Sequence, residues 1–115
     1  MVIGATNNPG RYAYFAVKAL LQHGHEVIPV GIKKGSIFGL EIINGLPDIS
    51  MVHTITMYVG PVKQSAYIHY ILKLNPNRII FNPGTENDKL IKQALENDIE
   101  VVIDCTLMML SSGEY

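Results

Sequence analysis

Residues Val2–Arg11 read VIGATNNPGR. A short apolar run passes directly into small and turn-forming residues and ends on a basic side chain. An apolar run stopped by Gly, Asn and Pro reads as a buried strand opening into a loop. Gly4 and Ala5 are small enough for a ligand to approach the backbone, and Thr6, Asn7 and Asn8 offer side-chain donors. The helix that follows starts near Arg11, so its first N–H groups are free for an anion and Arg11 can add a bidentate phosphate contact. The glycines lack the GxGxxG spacing of the dinucleotide fingerprint. The plain alternative is a strand-to-helix turn with Asn8 as the helix cap.

Working outward, the chain alternates short β-rich runs with helical stretches. Ala13, Ala16, Val17 and Leu20 fall at helical spacing over 11–22, and Gly24 follows as a stop. HEVIPVG (25–31) is the second strand expected, and GSIFGLEIINGLPDIS (35–50) is irregular with room for one or two short strands. HTITMYV (53–59) is the third strand, with β-branched and aromatic residues in support. Pro61 suits the first turn of a helix running to about Leu74, and NRIIFN (77–82) is the fourth strand. Thr85 with Asp88 has capping-box spacing before a helix whose apolar face is Leu90, Ile91, Ala94 and Leu95. IEVVIDC (99–105) is the fifth strand. This alternation predicts one α/β domain over 1–115, a Rossmann-like, doubly wound, parallel five-stranded sheet in three α/β/α layers, with strand order 3-2-1-4-5.

Ligands of such sheets bind beyond the carboxyl ends of the strands. After the second strand, Lys33 and Lys34 occupy the place where an NAD enzyme carries a carboxylate for the ribose. A lysine pair there suits an extra ribose phosphate, the 3′-phosphate of coenzyme A or the 2′-phosphate of NADP; the plain alternative is two solvated turn lysines. Gly60 and Pro61 follow the third strand, and Asn82, Pro83 and Gly84 the fourth. Two rigid turns on one rim read as walls of a narrow groove.

The 115 residues are 48% hydrophobic and 17% charged, enough for one core. Nine basic against ten acidic residues leave no excess for nucleic acid. No apolar run approaches the ~18 residues of a membrane span, and no signal peptide is expected. The single cysteine, Cys105, cannot form an internal disulfide and fits a cytoplasmic protein. Cys105 and Asp104 end the fifth strand, but a lone cysteine is more often a small buried hydrophobe than a nucleophile. His23, His25, His53 and His69 show no metal-ligand spacing. No nucleophile–base pair is legible, so no catalytic residue is assigned and a small-molecule binding module is expected.

The segments VIGATNNPGRYAYFA, GHEVIPVGIKKGSIFG, IIFNPGTEN and CTLMMLSSGEY together resemble the small CoA-binding domain proteins. These are stand-alone relatives of the nucleotide-binding domain of the succinyl-CoA synthetase alpha subunit. The resemblance implies coenzyme A or an acyl-CoA as ligand. It implies that Gly4, Ala5, Thr6, Asn7, Asn8 and Pro9 wrap the pyrophosphate and that Lys34 meets the nucleotide end. It also implies that Phe81, Asn82 and Pro83 flank the pantetheine arm. The relative's catalytic histidine belongs to a further domain, so no ligase activity is implied. Gly31-Ile32 stands where many members carry Asn-Pro. Two other readings remain: an NADP-binding oxidoreductase-like domain, and a protein-interaction subunit with a vestigial nucleotide site. Tyr12, Tyr14 and Phe15 are available to an interface, the plainer alternative being a place in the groove or the core, and homo-oligomerisation is compatible with either.

Overall fold

The computed structural model describes residues 1–115. Its elements are β1 (Val2–Ile3), α1 (Tyr12–Gln22), β2 (Pro29–Val30), β3 (Ser36–Ile37), β4 (Leu40–Glu41) and β5 (Thr54–Met57). They continue with α2 (Pro61–Gln64), α3 (Ile68–Leu74), β6 (Arg78–Phe81), α4 (Asp88–Glu96), β7 (Glu100–Ile103) and α5 (Thr106–Ser112). Five strands form one parallel sheet in the order β2-β1-β5-β6-β7, while β3 and β4 make a separate antiparallel hairpin. The sheet and its covering helices are the Rossmann-like α/β architecture expected from the alternation of elements.

Successive strand residues point to opposite faces, and the core divides accordingly. Val2 packs with Val17 and Leu20 of α1 and Leu110 of α5. Ile3, Ile55, Met57, Ile79 and Phe81 pack on the other face with Ile71 of α3 and with Leu90 and Ala94 of α4. Burial of both faces explains why these strands are continuous apolar runs rather than alternating ones.

One strand lies elsewhere than expected. The 54–57 strand sits directly beside β1, with Val2 opposite Thr56 and Ile3 opposite Met57. The parallel strands therefore run 2-1-3-4-5 in chain order, not 3-2-1-4-5. The place beyond β2 is taken by a single parallel bridge, Val30 to Ile43. Residues 35–45 include four in the left-handed region, Gly35, Phe38, Gly39 and Gly45, which favour a hairpin and turns over an extended strand. All four residues of β5 are buried, and an interior position supplies neighbours on both sides.

Three local expectations are also corrected. The 61–74 helix is broken after Gln64. The Ser65 hydroxyl donates to the Val62 carbonyl, and the Tyr67 amide donates to the Gln64 carbonyl, three residues back, in place of continued helical bonding. Thr85 does not cap α4: its hydroxyl donates to the Asn82 carbonyl at 2.7 Å, and Asn87 Oδ1 accepts from Lys89 N and Leu90 N instead. Leu95 is 57% exposed and stands off the buried face of α4. The terminal helix α5 has no counterpart in the sequence reading.

Asn82 holds the layers in register. Its Nδ2 donates to Thr56 Oγ1 and to the Met57 carbonyl, both at 2.8 Å, and its Oδ1 accepts from the Thr106 amide at 2.8 Å. β5, β6 and the start of α5 are thus joined through one buried amide. Removing it strands buried partners, each such loss costing about 1–3 kcal/mol. Asn82→Ala is therefore expected to lower stability in urea by about 2–4 kcal/mol. A change below about 0.5 kcal/mol, the range of a surface substitution, would contradict this role.

Candidate functional site

The carboxyl ends of β1, β2 and β5 open into a cleft of about 780 Å³. Its geometry starts from two residues without side chains. Gly4 has φ +97°, and a Cβ there would lie 2.9 Å from both the carbonyl carbon and the oxygen of Tyr58. A Cβ on Gly31 would lie 2.3 Å from the Ala5 carbonyl oxygen. The three loops therefore meet backbone on backbone. Gly4 is demanded by the protein itself, so a side chain there tests folding rather than ligand approach.

Hydrogen bonds fix the loops. The amides of Gly4 and Ala5 both donate to the Val30 carbonyl, and the Tyr58 amide donates to that of Ile3. Asn8 N donates to Thr6 Oγ1, and Asn8 Oδ1 accepts from Gly10 N at 2.9 Å. Asn8 thus closes its own turn and does not cap α1. Asn44 Nδ2 donates to the carbonyls of Gly31 at 2.7 Å and Lys33 at 3.1 Å, pinning the loop after β2. Gln64, fully buried, donates from Nε2 to the carbonyls of Val59 and Thr85 and accepts from Asn87 Nδ2. That amide anchors α2, whose Lys63 lines the cleft.

Two features make the cleft anion-seeking. α1 begins at Tyr12 with no side-chain cap and no acidic residue in its first turn. The amides of Tyr12 and Ala13, both at the cleft, have no acceptor within the chain. Such an N-terminus carries partial positive charge and unsatisfied donors. Arg11, Lys33 and Lys63 line the same space, with no carboxylate among the lining residues.

Of the residues singled out from the sequence, Gly4, Ala5, Thr6, Asn7, Asn8, Arg11 and Lys33 line the cleft together. Pro9, Lys34, Gly60, Pro61, Pro83 and Gly84 do not, although all lie at this end of the sheet. Phe81 and Asn82, at 0% and 2% exposure, are core residues and present no surface to a ligand. Their side chains turn inward, Phe81 to the hydrophobic core and Asn82 to its hydrogen-bond partners. The sequence reading missed Lys63, Ser65, Ala66 and Tyr67, which form the wall opposite α1. The signal for Lys63 was present: it lies in the first turn of a Pro-started helix just past a strand's carboxyl end.

Cys105 is half-buried and, with Asp104, lies outside the cleft lining; its amide donates to Asp104 Oδ1 at 2.7 Å. No group of three or more His, Cys, Asp or Glu side chains is placed to hold a metal ion. No helix is long and apolar enough to cross a membrane.

The profile of the CoA binding domain family matches residues 1–111. The chain belongs to this family. The chain is also similar to solved structures over nearly its whole length. An uncharacterized protein shares 53% identity and a TM-score of 0.97, over 99% of this chain and 94% of that one. A hypothetical protein from Pyrococcus horikoshii OT3 shares 25% identity and a TM-score of 0.85, over 97% and 80%. The protein cell-free ID.343 from Thermus thermophilus shares 25% identity and a TM-score of 0.86, over 99% and 87%. No curated protein matches this chain.

Tyr58 forms part of the cleft wall, and burial pushes its phenol from the usual 10 up to about 12. The native state therefore keeps this proton after the unfolded chain has lost it. The stability associated with the neutral phenol is complete below pH 10 and falls as pH rises from 10 through about 12. Urea midpoints measured from about pH 9 to about pH 11 should drop further for the wild type than for Tyr58→Phe. Parallel declines would show that Tyr58 titrates normally.

Proposed function

We propose that this domain binds coenzyme A or an acyl-CoA in the cleft and performs no chemistry on it alone. The observation that carries the reading is the union of uncapped α1 amides with three lining cations and no lining carboxylate. A diphosphate placed at Tyr12 and Ala13 would satisfy both donors and meet the positive end of the helix. Arg11 is adjacent in sequence to those amides and supplies a planar fork for phosphate oxygens. Lys33, held by Asn44 through its own carbonyl, is the group proposed to meet the ribose 3′-phosphate. Lys34, exposed and outside the lining, acts on that phosphate only at longer range.

The apolar half of the ligand has partners as well. Ile32, Tyr12 and Tyr67 line the same cleft and offer surfaces for an adenine ring or a pantetheine arm. The non-catalytic part is supported by the cleft lining, which includes neither Cys105 nor Asp104, although Cys105 neighbours the lining Tyr58. Thioester hydrolysis needs a nucleophile or activated water at the acyl carbon, with a base in hydrogen-bond reach. The lining residues include no His, Cys, Asp or Glu.

Calorimetry with CoA and dephospho-CoA tests the ligand. A charge-assisted contact contributes about 1.5–3 kcal/mol, so CoA should bind roughly tenfold or more tightly than dephospho-CoA at low salt. Changing Lys33 and Lys34 together to Ala should erase the preference and leave dephospho-CoA binding nearly unchanged. Equal wild-type affinity for the two compounds would remove Lys33 from this role. Tight NADPH binding lost in the same double variant would favour an NADP site instead.

Incubation of the purified protein with acetyl-CoA should release free CoA no faster than buffer. Sustained release that disappears in Cys105→Ser would establish an enzyme.

A further inference from the structure

The opposite end of the sheet carries a second concavity, of about 770 Å³. The four residues of β5 separate it from the cleft: Thr54 lines this groove and Tyr58 lines the cleft. At about 3.3 Å per residue that is more than 10 Å of strand, so the two spaces are separate. Ile28, Ile49, Val52 and Leu74 give the groove an apolar floor.

Arg78, the first residue of β6, is held over this groove by neutral groups. Its Nε donates to Thr54 Oγ1 at 3.2 Å, and its guanidinium carbon lies 4.7 Å from the centre of the Tyr115 ring. The Tyr115 ring in turn packs against His25 with ring centres 4.8 Å apart. These contacts orient the guanidinium and leave its charge uncompensated. Its other neighbour is the Tyr115 phenol, itself neutral, and no carboxylate is paired with it. Glu26 is the sole acidic residue lining the groove.

We infer that this groove is a second binding site, for a small monocarboxylate with an apolar body. A guanidinium fork matches a carboxylate through two parallel hydrogen bonds, and pre-orientation lessens the entropy lost on binding. The apolar floor covers the rest of the ligand, in the usual manner of small-molecule sites. Arg78 is the groove's one permanent cation. The Met1 α-amino group also lines it, but it donates to the Thr54 carbonyl at 2.8 Å and burial lowers its pKa to about 6, so one negative charge is matched. The second charge of a phosphate ester would face Glu26 without a second permanent cation.

A two-dimensional ¹H–¹⁵N NMR titration of the full chain tests this with phenylacetate as probe and phenylacetamide as its neutral counterpart. Phenylacetate should produce saturable shifts at residues 49–54 and 74–78 and leave residues 4–13 unmoved. The amide should bind roughly tenfold more weakly, the loss of one charge-assisted contact. Arg78→Gln should weaken phenylacetate by a similar factor while the protein's CoA titration stays unchanged. Equal binding of acid and amide by the wild type, shifts confined to the cleft, or no saturable shift would each overturn the inference. The wild-type comparison stands even if Arg78→Gln fails to fold, and the acid–amide comparison does not depend on CoA being the ligand of the cleft.

Discussion

The cleft depends on how closely three backbones approach one another where Gly4 and Gly31 leave no side chain between them. Gly4 sits against the carbonyl of Tyr58, and Gly31 against that of Ala5. Any Cβ would force these loops apart, and at Gly4 the left-handed φ adds strain for any other residue. The same junction gives two loop amides a shared acceptor at Val30, so the segment Gly4–Asn8 leaves the sheet at a set angle. That angle delivers α1 with its first two amides toward the cleft. A loop displaced by an ångström would point those donors away from a common anion.

The walls are fixed by buried amides rather than by ion pairs. Gln64 ties the short α2 to the ends of β5 and to the approach of α4, and Asn82 ties β5 and β6 to α5. Buried polar groups of this kind are stabilising only when every partner is present, so they tolerate little movement. The charged residues are in the opposite situation. Arg11, Lys33 and Lys63 are exposed on a rigid frame, and the proposed function gives them long-range attraction and final contact with an anion. The division gives a stiff backbone cradle with adjustable charged tips.

Much of this was legible from residue order. The run VIGATNNPGR, followed by helical spacing from Ala13 to Leu20, specified strand, loop and helix, because both hydrophobic periods are strong there. The position of β5 was not legible: the outer strand shrinks to one bridge at Ile43, too short to leave any periodicity. Thr85 and Asp88 matched a capping spacing, but the buried Thr85 hydroxyl is used by the Asn82 turn. Phe81 and Asn82 do stand at the carboxyl end of β6, as their place in the sequence implies. Whether a residue at a strand's end faces ligand or core depends on what covers that face, and α4 and α5 cover it here. The opposite wall went unread because the 61–74 helix breaks at Ser65, which presents Ser65, Ala66 and Tyr67 to the cleft.

The central claim is that the junction of Gly4 and Gly31 aims the α1 amides at a phosphate of coenzyme A. A crystal structure of the protein grown with CoA tests it most directly. The account predicts diphosphate density within hydrogen-bond distance of the Tyr12 and Ala13 amides, with the Arg11 guanidinium closing on it. CoA bound with its diphosphate elsewhere, or a cleft left empty at saturating CoA, would contradict it.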